Sequence, residues 1–259
     1  MTRGDAYCWR LLATARCYGV FGAGCLALGL AVFPLLRLVP GDPASRRARV
    51  RRALGRAMRW LACFMRGVGV LSYELTGLEE LGRPGQLVVA NHPTLLDFMF
   101  LLGFAPSSSC VAKAALWRNP FTRWPIAAAG YVSNSPTDLM VEQAADALRQ
   151  GQSVIIFPEG TRTAPGQPLH FHRGAATIAI RAAVVVTPVF VRCSPPTLGK
   201  GDPWYRIPER RPHYSLTKGA DVDPEPFRRR AAAPLAAREL NDHLQEVFTT
   251  ELTPHSRID

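Results

Sequence analysis

Short apolar runs alternate with longer helix-like segments from residue 87 onward, and this alternation constrains the fold more than any other feature. Leu87 to Ala90, Ser153 to Phe157 and Val184 to Val191 are mostly apolar throughout, which is typical of strands buried on both faces. Between them, residues 136 to 150 and Gly174 to Ala182 have the composition of helices. We therefore predict an α/β fold, a mostly parallel sheet flanked by helices.

Three further elements follow from local signals. Pro93 occupies a position where helices begin, so we predict a helix that continues over Thr94 to Phe104. His213 to Thr217 is a possible strand, and Pro234 to Leu252 is a final amphipathic helix.

An uncharged run precedes these elements near the N-terminus. Cys17 to Leu36 contains 20 residues, about the ~20 that a helix needs to cross a bilayer core. It also contains several glycines and Pro34, so a re-entrant or hairpin anchor is an alternative to a full span. A helix buried in a soluble core is the third possibility.

A basic amphipathic helix is predicted over Ala44 to Gly67. Its apolar stripe consists of Val50, Leu54, Met58, Leu61 and Met65, and the arginines around that stripe include Arg46, Arg47, Arg49, Arg51, Arg52, Arg56 and Arg59. Such a helix lies at a lipid surface, where arginines meet anionic headgroups. The alternative is a solvated helix packed on the domain.

We predict a membrane anchor and amphipathic helix over residues 1–69 and a second domain over 70–259. The arginines place that domain in the cytoplasm by the positive-inside rule.

The net charge of +11 favours a polyanionic partner, which can be an anionic membrane, a phosphorylated metabolite or nucleic acid. The arginines crowd beside the apolar run, and the sequence has no helix-turn-helix, zinc-finger or aromatic RNA-binding signature. A nucleic-acid-binding protein therefore remains only a remote alternative, and we predict no nucleic-acid partner.

The six cysteines have no C-x-x-C spacing and are interpreted as small packing residues in a reducing compartment.

Two polar clusters begin where predicted strands end. One runs from Asn91 to Asp97 after Ala90, and the other from Pro158 to Arg162 after Phe157. Ligands bind at the carboxyl ends of strands in open parallel sheets. We therefore expect both clusters to face one crevice.

The spacing of His92 and Asp97 suggests a catalytic pair. On a regular helix, residues five apart point about 140° from each other and do not meet. If Pro93 opens the helix, however, His92 lies before it and can fold over the first turn toward Asp97. The carboxylate then fixes the tautomer of the imidazole and leaves its other nitrogen free to accept a proton from an alcohol.

Glu159 and Arg162 suggest a pocket for the other reactant. The guanidinium can grip phosphate, and the glutamate can hold a hydroxyl or brace that arginine. Gly160 lets the backbone approach closely. A purely structural alternative has His92 capping a helix and Glu159 pairing with Arg162 to order a turn.

A metal site is a second alternative for this region. His170 and His172 fall on one face if their segment is extended, and they would join His92 and Asp97 in a metal hydrolase. An H-x-H pair is a weak signal, so we predict loop histidines and no metal.

The two clusters resemble the hallmark motifs of the glycerolipid acyltransferases, of the 1-acylglycerol-3-phosphate acyltransferase type. These are Asn91-His92 with Asp97, and Phe157-Pro158-Glu159-Gly160-Thr161-Arg162, with Val186-Thr187-Pro188-Val189 resembling a later block. The likeness covers roughly residues 70 to 220 of this sequence.

The resemblance implies an O-acyltransferase in phospholipid biosynthesis, with 70–259 as the acyltransferase domain. His92 would be the general base and Asp97 its orienter, while Asn91, Glu159, Gly160, Thr161 and Arg162 would bind substrate. Acyl-CoA or acyl carrier protein would supply the chain to a lysolipid, with no acyl-enzyme, cofactor or metal. The implied partners are membrane lipids and the acyl donor, and the implied location is the cell inner membrane.

The acceptor has two interpretations. Phosphate-acceptor members usually have an arginine after a glycine and an apolar stretch, whereas residues 130 to 134 of this chain read Gly-Tyr-Val-Ser-Asn. The segments 116–120 and 171–176 also resemble, more weakly, a bacterial subgroup associated with aryl polyene pathways. The predicted acceptor is therefore 1-acylglycerol-3-phosphate or, alternatively, a non-phosphatidate lipid of a specialised pathway.

Overall fold

The computed structural model describes residues 6–105, 107–164 and 166–253. The ends of the two predicted domains, residues 1–5 and 254–259, lie outside the described residues. The division at residue 69 stays a prediction.

Helices and strands alternate after an N-terminal group of helices. The helices are α1 (Tyr7–Ala27), α2 (Phe33–Leu38), α3 (Pro43–Gly67), α4 (Asp97–Phe104), α5 (Arg123–Ala129), α6 (Thr137–Arg149), α7 (Gly174–Ala182), α8 (Glu225–Arg230) and α9 (Ala233–Leu252). The strands are β1 (Ser72–Thr76), β2 (Gln86–Ala90), β3 (Ser109–Ala112), β4 (Val132–Ser133), β5 (Val154–Ile156), β6 (Val185–Ser194) and β7 (His213–Lys218). A π-helical turn, Leu28–Val32, joins α1 to α2, and 3-10 turns occupy Leu78–Glu80 and Ala114–Trp117.

The strands form one sheet in the order β1-β7-β6-β2-β5-β3-β4. Strands β6 and β7 pair antiparallel, and the remaining neighbours are parallel. The predicted α/β fold with a mostly parallel sheet is therefore confirmed. Strands β2 and β5 are direct neighbours at the centre, with Val88 opposite Ile155.

Two hydrophobic cores cover the two faces of the sheet. One core contains buried side chains of α3 and α4 together with Val88 and Ile155. The other contains side chains of α6, α7 and α9 together with Leu87 and Val154. Neighbouring residues of one strand face opposite cores because successive side chains alternate across a sheet.

Helix α3 packs on the domain through its apolar stripe, which was the alternative to a helix that lies at a lipid surface. The predicted stripe is buried, and a Cβ on Gly55 would lie 2.9 Å from the carbonyl oxygen of Leu102 in α4. Glycine permits that close approach. Arg51 is also buried, while Arg46, Arg47, Arg52, Arg56 and Arg59 remain exposed. A stripe of this width suits a protein core as well as a membrane, and contact of the exposed arginines with lipid stays a prediction.

The predicted apolar run lies within one continuous helical segment. Tyr7–Leu36 is long and apolar enough to cross a membrane, with a mean hydropathy of 2.1 over its most apolar window. Only 17% of that window is buried, which argues against a helix enclosed in a soluble core.

Helix α4 starts later than predicted. It begins at Asp97, and residues 91–96 form an irregular loop after β2. The Thr94 N–H and hydroxyl both donate to the carboxylate of Asp97, which ties that loop to the first turn of α4.

Candidate active site

Two loops at the carboxyl ends of β2 and β5 form the candidate site. The backbone N–H of His92 donates to Oε1 of Glu159 at 2.8 Å, and the N–H of Thr163 donates to the carbonyl oxygen of His92 at 3.0 Å. These bonds join the loops directly, so the prediction that both clusters meet at one edge of the sheet is confirmed.

His92 and Asp97 form a hydrogen-bonded pair. The Nδ1 atom of His92 lies 2.8 Å from Oδ2 of Asp97. Because Asp97 stands at the first turn of α4 and His92 lies in the preceding loop, the side chains meet although a regular helix would separate them. The pairing leaves Nε2 as the ring nitrogen available to a reactant.

Asp97 is held in a fixed orientation by Thr94. The Thr94 backbone N–H donates to Oδ2 at 2.7 Å, and the Thr94 hydroxyl donates to Oδ1 at 2.6 Å. With the bond to His92, the carboxylate therefore uses both of its oxygens as acceptors. This locks the carboxylate and, through it, the plane of the imidazole.

Burial differs between the members of the site. The Asp97 side chain is fully buried, whereas 17% of the His92 side chain is exposed. Burial raises the pKa of Asp97, against the opposing hydrogen bonds from His92 and Thr94. Burial likewise raises the pKa of Glu159. The His92 ring also stacks on Phe157, with ring centroids 4.3 Å apart, so two contacts fix its position.

Asn91 contacts the backbone of β6. Its Nδ2 donates to the carbonyl oxygen of Val191 at 2.8 Å, and its Oδ1 accepts from the Val191 N–H at 2.7 Å. Asn91 is itself buried. The side chain therefore ties the end of β2 to β6, which differs from the predicted contact with substrate.

Arg162 reaches the loop that follows β6. Its Nη1 donates to the carbonyl oxygens of Leu198 at 2.9 Å and Gly199 at 2.8 Å. The remaining guanidinium donors are on Nε and Nη2. Glu159 is bonded to the His92 backbone, so the predicted option that Glu159 braces Arg162 is wrong.

Gly160 and Thr161 complete the second loop. Gly160 adopts a φ of 64°, and a Cβ there would lie 3.2 Å from the ring of His172. Glycine suits this position because the left-handed conformation disfavours other residues. Thr161 is half-buried.

A large cavity has His92 in its wall. Its volume is about 900 Å³, and its walls are largely apolar. His92, Gly160 and Arg162 line it, and so do residues of the N-terminal and following helices: Thr14, Cys17, Phe21, Leu54, Met58 and Leu61. A cavity of this size and lining suits a ligand with a long apolar part and one polar end.

Three contributors to the site were given no role in the sequence analysis. Thr94 orients Asp97, Leu198 accepts bonds from Arg162 and from the N–H of Leu95, and Arg10 of α1 lines the cavity. A threonine three residues before Asp97 is the sequence signal that could have identified Thr94. Leu198 and Arg10 come from distant parts of the chain, and only the fold brings them together.

His170 and His172 have ring centroids 5.5 Å apart. Within residues 6–105, 107–164 and 166–253, no group of three or more His, Cys, Asp or Glu side chains is placed to hold a metal ion.

Comparison with known proteins agrees with this geometry. The sequence model of the family described as "Acyltransferase" matches residues 72–192, which include both loops. The chain is 32% identical over 187 residues to a lyso-ornithine lipid O-acyltransferase of Pseudomonas aeruginosa, a match covering 70% of this chain and 67% of that protein. The chain belongs to the acyltransferase family. Its resemblance to the glycerolipid acyltransferases is thereby confirmed, whereas the aryl polyene subgroup stays a prediction without support from these relatives.

A second relative matches over a shorter stretch, whereas a solved structure matches over nearly the whole chain. A 1-acyl-sn-glycerol-3-phosphate acyltransferase of Pseudomonas aeruginosa is 32% identical over 149 residues, or 55% of this chain. The chain spans 58% of the length of that relative. The crystal structure of the 1-acyl-sn-glycerophosphate (LPA) acyltransferase PlsC from Thermotoga maritima has a TM-score of 0.74, with 96% of this chain and 97% of that one covered. At 23% identity, this likeness shows a shared fold.

Proposed function

We propose that this protein is a membrane-associated O-acyltransferase that moves a fatty acyl chain from a thioester to the hydroxyl of a lysolipid. The observation that carries the proposal is the His92–Asp97 pair, joined at 2.8 Å, with His92 lining a large, mostly apolar cavity. Family membership supports the same chemistry.

In the proposed reaction, Nε2 of His92 takes the proton of the acceptor hydroxyl while the oxygen attacks the thioester carbonyl carbon. The C–O bond forms, a tetrahedral oxyanion follows, and the C–S bond then breaks. The departing thiolate takes the proton back from the imidazolium. Asp97 stabilises that imidazolium and acts on the reactants only through His92.

The proposed donor is acyl-CoA or acyl carrier protein, with the apolar part of the cavity receiving the acyl chain. The reaction as proposed needs no resident cofactor, because the histidine supplies the proton transfer and the thioester supplies the activated acyl group.

The first candidate acceptor is 1-acylglycerol-3-phosphate, in phospholipid biosynthesis. Arg162 lines the cavity, and its Nε and Nη2 donors suit a phosphate oxygen. The second loop, with Gly160 and Thr161, would border the same headgroup. Several relatives with this substrate in their names support the assignment.

A second candidate is a lysolipid without the phosphatidate headgroup. Tyr131 and Asn134 line the cavity where a cation would be expected, and Oδ1 of Asn134 accepts from the N–H of Ala114 at 3.0 Å. The relative that aligns over 187 residues is named for a lyso-ornithine lipid. Both observations favour testing this acceptor class alongside the first.

We further propose attachment to the cell inner membrane through the N-terminal apolar helix, with the catalytic domain on the cytoplasmic side. The exposed apolar surface of Tyr7–Leu36 supports attachment, and the arginines of α3 support the orientation.

An acceptor panel tests the proposal. Purified protein in detergent is given acyl-CoA or acyl carrier protein with lysophosphatidate, lyso-ornithine lipid or no acceptor, and products are identified by mass spectrometry. We expect a diacyl product that appears only with a lysolipid. Consumption of thioester at the same rate with and without every acceptor would contradict acyl transfer.

A further inference from the structure

A segment that lines part of the cavity also carries an exposed apolar surface. We define the rim as residues 114–129, which comprise the 3-10 turn Ala114–Trp117, a tight loop and α5. Three large side chains are exposed within it: Leu116 by 37%, Phe121 by 46% and Trp124 by 57%. Elsewhere in residues 70–253, α6, α9 and the residue before β6 expose single aliphatic side chains, which are ordinary for a soluble surface. Trp204 and Tyr205 are also exposed, but Trp204 packs against Tyr205 and against Tyr18 of α1.

The rim adjoins the N-terminal apolar helix. A Cβ on Gly29 would lie 3.5 Å from the Cβ of Trp124, so the two segments touch. Near this contact, Leu26 is 45% exposed and Leu30 is 77% exposed. The exposed apolar side chains of the rim and of the helix are therefore parts of adjoining surfaces.

The charges of the rim suit an anionic lipid surface. Residues 114–129 contain Arg118 and Arg123 and no Asp or Glu, and both arginines are exposed. The Arg123 guanidinium lies 4.9 Å from the ring centroid of Trp124. Tryptophan beside arginine is the composition that favours the boundary between headgroups and acyl chains.

The backbone of the rim is bonded internally, as a segment in a medium with little water requires. The N–H of Phe121 donates to Oδ1 of Asn119 at 2.9 Å, and the N–H of Arg123 donates to the Asn119 carbonyl oxygen at 3.0 Å. The Thr122 hydroxyl donates to the carbonyl oxygen of Leu116 at 2.8 Å. Immersion of Phe121 and Trp124 would therefore leave these backbone groups satisfied.

The geometry points to the rim as a second membrane-contacting element, which enters the headgroup region of an anionic bilayer beside the N-terminal helix. Pro125 and Ile126 of the rim line the cavity from one side, while Phe21 and Cys25 of α1 line it too. Contact of both segments with lipid would place that part of the cavity wall at the bilayer, where apolar substrates reside. This inference rests on the proposed function, in that the enzyme acts on membrane lipids.

Quenching of tryptophan fluorescence by brominated lipids tests the inference on the full chain. The protein is reconstituted into phosphatidylcholine and phosphatidylglycerol vesicles, with or without bromine on the acyl chains. The emission of Trp124 is obtained by subtracting the emission of Trp124→Phe from that of the wild type. The matched control is Leu235→Trp, because Leu235 is 51% exposed on α9, across the sheet from α3 and α4.

We expect bromine to reduce the Trp124 emission by about half or more, since interfacial elements are buried roughly 5–10 Å deep. The emission added by Leu235→Trp should remain unchanged. In Arg118→Gln/Arg123→Gln, the ratio of lipid-inserted to free rim, taken from the quenching of Trp124 in phosphatidylglycerol vesicles, should fall roughly fivefold for each arginine removed.

The result that overturns the inference is equal quenching of Trp124 and the control. If the protein still floats with the vesicles in that case, membrane attachment survives and only the rim assignment fails. Failure to float would contradict both. Acyl transfer is not measured, so the catalytic proposal is judged separately by the acceptor panel.

Discussion

Replacement of Asp97 by asparagine should separate catalysis from folding. Asp97 accepts from His92 at 2.8 Å and from Thr94 at 2.7 and 2.6 Å. An asparagine whose oxygen takes the place of Oδ2 keeps the two bonds made there, and the Thr94 hydroxyl can rotate to accept from the new amide. The loop geometry should therefore persist while the negative charge is lost.

The magnitude follows from the separation of the pair. At 2.8 Å, an imidazolium and a carboxylate attract each other by about 6 kcal/mol in a medium of dielectric constant ~20. Proton transfer is incomplete in the transition state, so only part of this energy is lost there. We expect kcat to fall by about 10²- to 10⁴-fold, at ~1.4 kcal/mol for each factor of ten.

At a pH above the folded pKa of Asp97, Asp97→Asn should raise the free energy of unfolding, whereas it lowers kcat. Burial raises the pKa of Asp97, so the folded protein holds this proton more tightly than the unfolded chain does. The resulting contribution to stability is fully present below the ordinary aspartate pKa of about 3.9 and is lost as the pH rises through the higher folded value. The free energy of unfolding of the wild type, minus that of Asp97→Asn, should therefore decrease with increasing pH.

Steady-state acyl transfer and thermal unfolding in detergent, both measured between pH 4 and 8, provide the test. A kcat for Asp97→Asn within a few-fold of wild type would refute the assigned role. A stability difference that grows with pH would refute the account of the buried carboxylate.

Two predictions concern the packing around the site. Burial raises the pKa of Cys110 to about 12, so its thiol should resist iodoacetamide at pH 8 in the folded protein. Cys63 is exposed and should react under the same conditions. Mass spectrometry of the labelled peptides checks this, and equal labelling of the two cysteines would contradict the burial of Cys110. Gly55→Ala should lower the free energy of unfolding by roughly 1–3 kcal/mol, because its Cβ would lie 2.9 Å from the Leu102 carbonyl oxygen. The control is Gly67→Ala, which has open space around it, and equal unfolding midpoints for the two variants would contradict the close packing of α3 on α4.

The sequence predicted the centre of the fold well because the central strands are continuous apolar runs. Strands β2, β5 and β6 all correspond to predicted runs, and the bounds of α7 match the prediction. By contrast, β1 was missed, and β3 and β4 are too short to produce a period. The identity of a neighbouring strand depends on tertiary pairing, which a single local segment does not encode.

The site was predictable to the extent that it depends on strand ends. His92 and Glu159 follow neighbouring strands, so their proximity came from topology alone. The partners of Arg162 and Asn91 were not predictable, because both pair with backbone atoms of residues beyond position 190. Backbone acceptors carry no residue-type signal in a sequence.

The direct test of the central claim is the turnover of His92→Ala, measured beside His243→Ala as a histidine variant on α9 away from the cavity. The assay follows formation of the acylated lipid from the thioester and whichever lysolipid the wild type accepts, with unfolding temperature as the check on folding. We expect His92→Ala to be folded and to lose about 10²- to 10⁴-fold in kcat, as removal of a general base does, while His243→Ala keeps wild-type turnover. A folded His92→Ala protein with wild-type turnover would contradict the proposed mechanism.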